Sequence, residues 1–155
     1  MHRDFNTDNS ERLKNILSAL NAVAKKRKTK ILFPIHPRTR NKLESLNIHL
    51  SPLTFHLVEP LSYLETLAAL RRARLVLTDS GGLQKEAYFS GKSCVVLRPE
   101  TEWVEIVNAG AAVLADADES RIVEGADWMW DNVPPEPKEF GDGHAAEHIL
   151  EHIIG

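Results

Sequence analysis

Short apolar runs alternate with longer amphipathic segments along most of this chain. The apolar runs contain no polar alternation, which is typical of strands that are buried on both faces of a parallel sheet. They lie at 31–35, 55–58, 75–77, 93–97 and 111–114. The segments between them repeat their apolar residues at helical spacing. The pattern therefore predicts an α/β fold, in which a parallel sheet carries helices on both faces.

The predicted helices have recognisable ends. The stretch 7–10 offers several capping residues for a helix whose apolar residues recur from 13 to 24. Gly91 and Gly110 each follow a later helical segment, where glycine commonly ends a helix. The further helices are predicted at 39–46, 62–72, 80–90, 102–109, 120–130 and 144–154.

Ligands of parallel α/β sheets bind beyond the carboxyl ends of the strands. The loops at that edge are predicted at 35–38, 59–60, 78–82 and 98–102, and they carry many of the polar residues of interest. This coincidence favours a functional site at the carboxyl edge.

The most informative of these loops begins the stretch 78–87, TDSGGLQKEA. Gly81 and Gly82 let the backbone approach a phosphate closely, and the first N–H groups of the following helix point at it. Ser80 can cap the helix or donate its hydroxyl to the ligand. Glu86 lies near enough to accept hydrogen bonds from ribose hydroxyls. The same ten residues also suit an ordinary capped turn between a strand and a helix. Gly-rich turns of that kind are common in α/β folds, so the ten residues alone favour this interpretation.

The start of the chain departs from the doubly wound pattern. Such a nucleotide-binding fold normally begins with a strand that lies centrally in the sheet. No apolar run precedes His2. Either the strands of the sheet have another order, or the chain lacks the start of the domain. We expect the second, a truncated chain. Removing a central strand exposes an edge on each of its neighbours.

Composition excludes several classes of protein. With 155 residues the chain suits one domain, and 19 basic against 22 acidic residues give a net charge of −3, which argues against a nucleic-acid partner. Cys94 is the only cysteine, as suits a reducing cytosol. No apolar stretch approaches the roughly 18 residues of a membrane span, and no signal peptide is visible. We expect a cytoplasmic protein without membrane contact.

Three histidines lie four residues apart near the end of the chain, at His144, His148 and His152. They share one helix face, and 148–152 matches the H-x-x-E-H zinc pattern. Almost nothing follows to supply a third ligand, so a solvated or packing face is favoured and no metal or other cofactor is expected. Of the remaining candidates, Asp79 is expected to orient its own turn and Trp103 to pack.

Six segments in order resemble the C-terminal half of the non-hydrolysing UDP-N-acetylglucosamine 2-epimerases. They are HRDFNTDN at 2–9, FPIHPRTR at 33–40, EPLSYL at 59–64, LTDSGGLQKEA at 77–87, RPETEWVE at 98–105 and FGDGHA at 140–145. The resemblance implies one Rossmann-like nucleotide-binding domain over 1–155, half of a two-domain GT-B fold whose N-terminal domain is absent from this chain. It also implies a homodimeric enzyme of cell-envelope polysaccharide biosynthesis.

The resemblance implies reversible epimerisation at carbon 2 of UDP-N-acetylglucosamine. The family eliminates UDP to give 2-acetamidoglucal and adds it back with the opposite configuration, giving UDP-N-acetylmannosamine. By resemblance, Ser80, Gly81 and Gly82 hold the diphosphate and Glu86 holds the ribose. Arg3 matches an arginine that can pair with phosphate.

His2 matches the active-site histidine of the family and could donate to the leaving phosphate or shuttle a proton. A frayed terminal residue is an equal alternative. By the same resemblance, His36 and Arg38 lie near the inter-domain region, where some bacterial members bind a second nucleotide sugar. A surface-loop histidine explains His36 as well.

The family's carboxylates for the proton steps lie in the N-terminal domain, so the chain alone is expected to be an inactive UDP-binding half. Two alternatives remain. The chain could be a UDP-sugar-binding module that works with a separately encoded N-terminal partner. It could also be the nucleotide-binding half of a GT-B glycosyltransferase, although 2–3 and 102–103 fit the epimerases better.

Overall fold

The computed structural model describes residues 3–141 and 143–154, which form five strands and eight helices. The strands are β1 (Ile31–Pro34), β2 (Phe55–Val58), β3 (Leu75–Thr78), β4 (Ser93–Val96) and β5 (Ala112–Leu114). The helices are α1 (Asp4–Thr7), α2 (Ser10–Arg27), α3 (Pro37–Ser45), α4 (Tyr63–Arg72), α5 (Gly81–Phe89), α6 (Val104–Asn108), α7 (Glu119–Asp131) and α8 (Ala145–Ile154). In the described part of the chain, none of the helices is long and apolar enough to span a bilayer.

All the strand pairs are parallel, but the strands form two sheets. β1 pairs with β2, and β3, β4 and β5 form a second sheet in that order. Within the described residues no strand joins β1 to β3. The predicted α/β class with parallel strands is confirmed, and the sheet is divided at the place where a doubly wound fold has its first strand.

Helices cover both faces of the strands, as predicted. On one face, α2 buries its apolar stripe together with Val95 and Leu97. On the other face, residues of α4, α5 and α6 pack with Cys94 and Val96. Successive strand residues point to opposite faces, and both faces of β4 are covered by helices. All four residues of β4 are therefore buried, which requires small or apolar uncharged side chains at every position. Burial also raises the pKa of the Cys94 thiol to about 12.

The helix ends follow the local sequence. The Asn9 side chain accepts hydrogen bonds from two backbone N–H groups in the first turn of α2. Helix α3 begins at Pro37, two residues before the predicted start, because proline suits the first turn of a helix and His36 caps it. Gly91 and Gly110 follow α5 and α6 with positive φ of 64° and 74°, which confirms both predicted ends.

The short helix α1 is not predicted by the apolar pattern, and polar contacts hold it in place. Asn6 is fully buried. Its Nδ2 donates to the carbonyl oxygen of Leu97 at 2.8 Å and to Oδ2 of Asp79 at 3.3 Å. The Arg12 guanidinium donates to Oδ1 of Asn6 at 3.0 and 3.1 Å. Asn6 therefore connects α1 to the carboxyl ends of β3 and β4.

Arg12 extends this network to the far side of the sheet. It forms an ion pair with Asp116, which follows β5, and its guanidinium lies 3.9 Å from the centroid of the Phe5 ring. The hydrogen bond from Arg12 holds the pKa of Asp116 below its ordinary value. The two side chains are only 18% and 26% exposed, so solvent screens the pair incompletely.

We expect Asn6→Ala to lower the free energy of unfolding by about 1–3 kcal/mol, because it leaves buried polar groups without their amide partner. Urea unfolding of the variant and of the parent chain measures the change. Asn41→Ala, on the exposed surface of α3, is the matched control and should change stability by less than about 0.5 kcal/mol. Equal midpoints for the two variants would contradict the role assigned to Asn6.

We expect the Arg12–Asp116 pair to contribute an acid-sensitive part of the stability. The pKa of Asp116 is lowered in the folded chain, so its contribution is present above the ordinary value of 3.8 and is lost as the pH falls through the folded value. Asp116→Asn should therefore be less stable than the parent at pH 7, with a difference that shrinks below about pH 4. Thermal unfolding between pH 2.5 and 7 measures it, and a pH-independent difference would contradict the assignment.

Candidate functional site

The turn after β3 has the geometry of a capped helix start. Ser80 is the N-cap of α5, and its Oγ accepts a hydrogen bond from the N–H of Leu83 at 3.4 Å. The Ser80 N–H in turn donates to Oγ1 of Thr78 at 3.0 Å. Gly81 and Gly82 are the first two residues of the helix. The first N–H groups of α5 therefore stand at the carboxyl edge of the sheet, where an anion can accept from them.

The two glycines have different surroundings. A Cβ on Gly81 would lie 2.3 Å from Oε1 of Glu102 and 3.3 Å from the indole nitrogen of Trp103. The Trp103 indole N–H donates to the Gly81 carbonyl oxygen at 2.9 Å, which confirms that Trp103 packs and shows that it also fixes the turn. A Cβ on Gly82 would meet only Oγ of Ser80, at 3.9 Å. Packing within the chain thus explains the small residue at 81 and leaves open space at 82.

Two arginines lie beside the turn. Nη1 of Arg98 is 2.7 Å from Oε2 of Glu102. The pKa of Glu102 is lowered, chiefly by a hydrogen bond from its own backbone N–H, then by Arg98 and by the charge of Arg3. The charge of Arg3 is therefore close enough to act on the Glu102 carboxylate. The start of α5 and the two arginines supply positive charge at the turn, and the Glu102 carboxylate offsets part of it.

Asp79 connects the turn to the amino-terminal side of the chain. It is fully buried, and its Oδ2 accepts from the backbone N–H of Arg3 at 3.1 Å and from Asn6. The expectation that Asp79 orients its own turn missed these contacts, since they join residues more than 70 positions apart. Asp79 fixes the backbone of Arg3 at the residue that precedes the Ser80-Gly81-Gly82 turn.

Glu86 and Ser80 border one cavity of about 850 Å³. Glu86 is half-buried in the second turn of α5. The loops after β1 and β2 reach the same cavity through His36 and through Pro60. The structure therefore brings together three of the loops that the strand pattern placed at the carboxyl edge.

The remaining site candidates make their hydrogen bonds and ion pairs away from the Ser80-Gly81-Gly82 turn. Nδ1 of His36 accepts from the N–H of Arg38 at 3.3 Å and caps α3. The exposed Arg38 side chain forms ion pairs with Asp4, in α1, and with Asp8, the residue that follows α1. The proposed second-site role of both residues stays a prediction. His2, the candidate catalytic residue, lies outside the described residues.

A cluster around Lys85 was not found from the sequence. Its Nζ lies 4.3 Å from the Trp103 ring centroid and 4.6 Å from that of Phe140. Oγ1 of Thr101 donates to Oε1 of the buried Gln84 at 2.6 Å. These contacts fix the 98–103 loop and the tail around 140 on α5. No periodic pattern links such distant positions, so the sequence alone contained no signal for them.

The histidines of α8 form local contacts. His144 and His148 lie 3.5 and 3.8 Å from glutamates one helical turn further along. In residues 3–141 and 143–154, no three histidine, cysteine, aspartate or glutamate side chains come together as metal ligands would.

These features define a Rossmann-like domain, equivalent to the C-terminal half of a GT-B fold, with a capped Ser-Gly-Gly turn at the carboxyl edge of its strands. The family model described as UDP-N-acetylglucosamine 2-epimerase matches residues 1–154. The chain therefore belongs to the UDP-N-acetylglucosamine 2-epimerase family.

The proteins that are similar to this chain include members with epimerase names. The UDP-2,3-diacetamido-2,3-dideoxy-D-glucuronate 2-epimerase of Pseudomonas aeruginosa is 42% identical over 99% of this chain and 42% of its own length. The UDP-N-acetylglucosamine 2-epimerase of Methanocaldococcus jannaschii is 35% identical, and its structure superposes with a TM-score of 0.89 over 98% of this chain and 43% of that one. The structure of the same protein with UDP-GlcNAc and UDP gives a TM-score of 0.85. The chain spans less than half the length of these relatives.

We expect alanine to be tolerated at 82 and disfavoured at 81. Gly82→Ala adds a methyl group to open space near a helix start and should leave the free energy of unfolding unchanged or raise it by up to about 1 kcal/mol. Gly81→Ala displaces Glu102 from Arg98 and should be less stable than Gly82→Ala by about 1 kcal/mol or more. Urea unfolding compares the two. Equal stabilities would mean that the Glu102 side chain moves away at no cost.

Proposed function

We propose that this chain is the UDP-binding half of a non-hydrolysing UDP-N-acetylglucosamine 2-epimerase. The whole enzyme interconverts UDP-N-acetylglucosamine and UDP-N-acetylmannosamine by eliminating UDP and adding it back. The observation that carries the proposal is the Ser80-Gly81-Gly82 turn, with two arginines beside it and Glu86 on the adjoining cavity. Family membership supports the same assignment.

The elimination step needs stabilisation of the negative charge on the departing diphosphate. In this proposal the N–H groups at the start of α5 and the hydroxyl of Ser80 donate to it. Arg3 adds a charged donor, since its backbone is fixed by Asp79 next to the turn. These groups are held by the fold before the ligand arrives, so little reorganisation is needed when the charge develops.

Glu86 is the proposed ribose ligand. Its half-buried carboxylate stands two helical turns from Ser80 on the same cavity, so it can accept hydrogen bonds from the two ribose hydroxyls while the diphosphate occupies the helix start. A partly buried acceptor of this kind discriminates against ligands that lack the hydroxyls.

The proton steps at carbon 2 are divided in this proposal between His2 and carboxylates of an N-terminal domain. His2 is proposed to donate to the leaving phosphate or to shuttle a proton. The carboxylates that move the carbon-bound proton are proposed to belong to an N-terminal domain, in a homodimeric whole enzyme. The isolated chain should therefore bind UDP without epimerising a UDP-sugar, and mixing with a separately produced N-terminal domain should restore activity if the two halves associate.

The identity of the sugar has two candidates. The Methanocaldococcus jannaschii relative is named for UDP-N-acetylglucosamine, whereas the more similar Pseudomonas aeruginosa relative is named for a UDP-diacetamido-glucuronate. UDP is common to both, and the nucleotide-binding residues proposed here are those that would hold it. UDP is therefore the appropriate first ligand.

We expect UDP to bind saturably and Glu86→Ala to weaken its affinity by about 1–3 kcal/mol, or roughly 5- to 150-fold, because a ribose acceptor is lost. Calorimetric titration measures the affinity, with circular dichroism to show that each variant is folded. Glu44→Ala, on the exposed surface of α3, is the matched control and should bind UDP like the parent.

Gly82→Ala gives an independent reading of the diphosphate position. The methyl group meets no protein atom closer than 3.9 Å, so a loss of UDP affinity in a folded variant would place the phosphates over the turn. Unchanged affinity in both Glu86→Ala and Gly82→Ala would show that the nucleotide binds elsewhere.

A further inference from the structure

The peptide unit between Gly81 and Gly82 is held from the side of its oxygen. The Trp103 indole N–H donates to the Gly81 carbonyl oxygen at 2.9 Å. A peptide unit is planar, so a contact that fixes its oxygen also fixes the direction of the N–H group on the other side of the plane. That N–H group belongs to Gly82. Trp103 therefore sets the direction in which the Gly82 N–H points.

The Gly82 N–H lies where a ligand can reach it. At the start of α5 the Ser80 hydroxyl accepts from the N–H of Leu83, and the Ser80 carbonyl accepts from the N–H of Gln84. Neither contact uses the N–H of Gly82, which is one of the first four of the helix. Gly82 is exposed whereas Gly81 is buried. An anion can therefore approach this N–H from outside.

The indole contact also makes the Gly82 N–H a stronger donor. A hydrogen bond accepted by a peptide oxygen polarises the whole peptide unit, and bonds in such a chain strengthen one another. The effect is larger where little water screens it, and here Gly81 is buried and Trp103 is partly buried. Trp103 thus acts on both the direction and the strength of one donor.

The loop that carries Trp103 is itself fixed on α5. The backbone N–H of Trp103 donates to Oγ1 of Thr101 at 3.1 Å. The Thr101 hydroxyl in turn donates to Oε1 of the buried Gln84 at 2.6 Å. The backbone and the side chain of Trp103 are therefore both tied to the start of α5, and the indole keeps its place relative to the Gly81 carbonyl.

Two further groups hold the indole ring. The Phe140 ring meets it edge to face, with centroids 5.8 Å apart and an interplanar angle of 88°. The Lys85 ammonium lies 4.3 Å from the Trp103 centroid and 4.6 Å from the Phe140 centroid, so its charge attracts both rings. Phe140 belongs to the segment between α7 and α8. A distant part of the chain thus contributes to the position of the indole.

We propose that Trp103 is a positioning residue for the diphosphate of UDP, and that Phe140 holds the indole where it can act. Trp103 directs the Gly82 N–H toward the phosphates through the Gly81–Gly82 peptide. This role rests on the proposed function, in which the phosphates occupy the start of α5 and Glu86 holds the ribose. Trp103 should therefore affect the binding of the phosphates and leave the binding of the nucleoside unchanged.

The main test is Trp103→Phe, which keeps an aromatic ring beside Lys85 and Phe140 but removes the indole N–H. We expect UDP to bind about three- to tenfold more weakly, as the loss of one positioned hydrogen bond predicts. Uridine, which lacks phosphates, should change by less than about twofold. NMR titration measures both ligands, because it reaches millimolar dissociation constants.

Trp128→Phe is the matched control, since Trp128 is 57% exposed on α7, and it should bind both ligands like the parent. Unchanged UDP affinity in folded Trp103→Phe would overturn the proposal. Equal weakening of UDP and uridine would also overturn it, because the substitution would then disturb the whole site.

Phe140→Leu tests the part assigned to Phe140. The variant keeps an apolar side chain but loses the edge-to-face contact, so the indole should be less well fixed. We expect the affinity for UDP to fall by about two- to fivefold and the affinity for uridine to stay unchanged. Unchanged UDP affinity in the folded variant would overturn this part.

A measurement on the unmodified chain does not depend on how well a variant folds. The Trp103 indole N–H and the Gly82 N–H lie on the two sides of one peptide unit. UDP should therefore shift both NMR resonances with the same saturation curve, and a shift of the Gly82 resonance alone would overturn the proposal. A parent chain that binds neither UDP nor uridine would overturn the proposed function, and the role of Trp103 with it. Normal UDP binding by Trp103→Phe would overturn only the role of Trp103.

Discussion

The buried contact between Asn6 and Asp79 is the interaction on which the site depends. A buried carboxylate is costly unless hydrogen-bond donors surround it, and here an amide and a backbone N–H from the amino-terminal residues supply them. The same asparagine amide donates to the carbonyl oxygen of Leu97 at the end of the neighbouring strand. One short helix thereby fixes the relative positions of two strand ends and of Arg3.

The anion site proposed at the turn depends on this arrangement. The start of α5 supplies partial positive charge, and Arg3 and Arg98 add full charges within reach of Glu102. The Glu102 carboxylate balances part of that positive charge through its ion pair with Arg98. Its side chain also fills the space that a Cβ at Gly81 would need. Gly81 is small because of this packing, whereas the space above Gly82 is open to a ligand.

The divided sheet and the proposed nucleotide site share one cavity. One cavity runs from Ser80 and Glu86 at the carboxyl edge to the open edges of β1 and β3. The proposed ribose ligand therefore borders the same cavity as the open edges of β1 and β3.

The sequence by itself determined the strands, most helices and the capped Ser-Gly-Gly turn, because these depend on local periodicity and on the backbone preferences of a few residues such as Gly91 and Pro37. It also placed the polar loops at one edge of the sheet. Only the tertiary structure showed α1, the partners of Asp79, the packing of Glu102 on Gly81 and the division between β1 and β3. These features arise from contacts between residues far apart in the chain, which leave no periodic trace in the sequence and are decided by which groups the fold buries together.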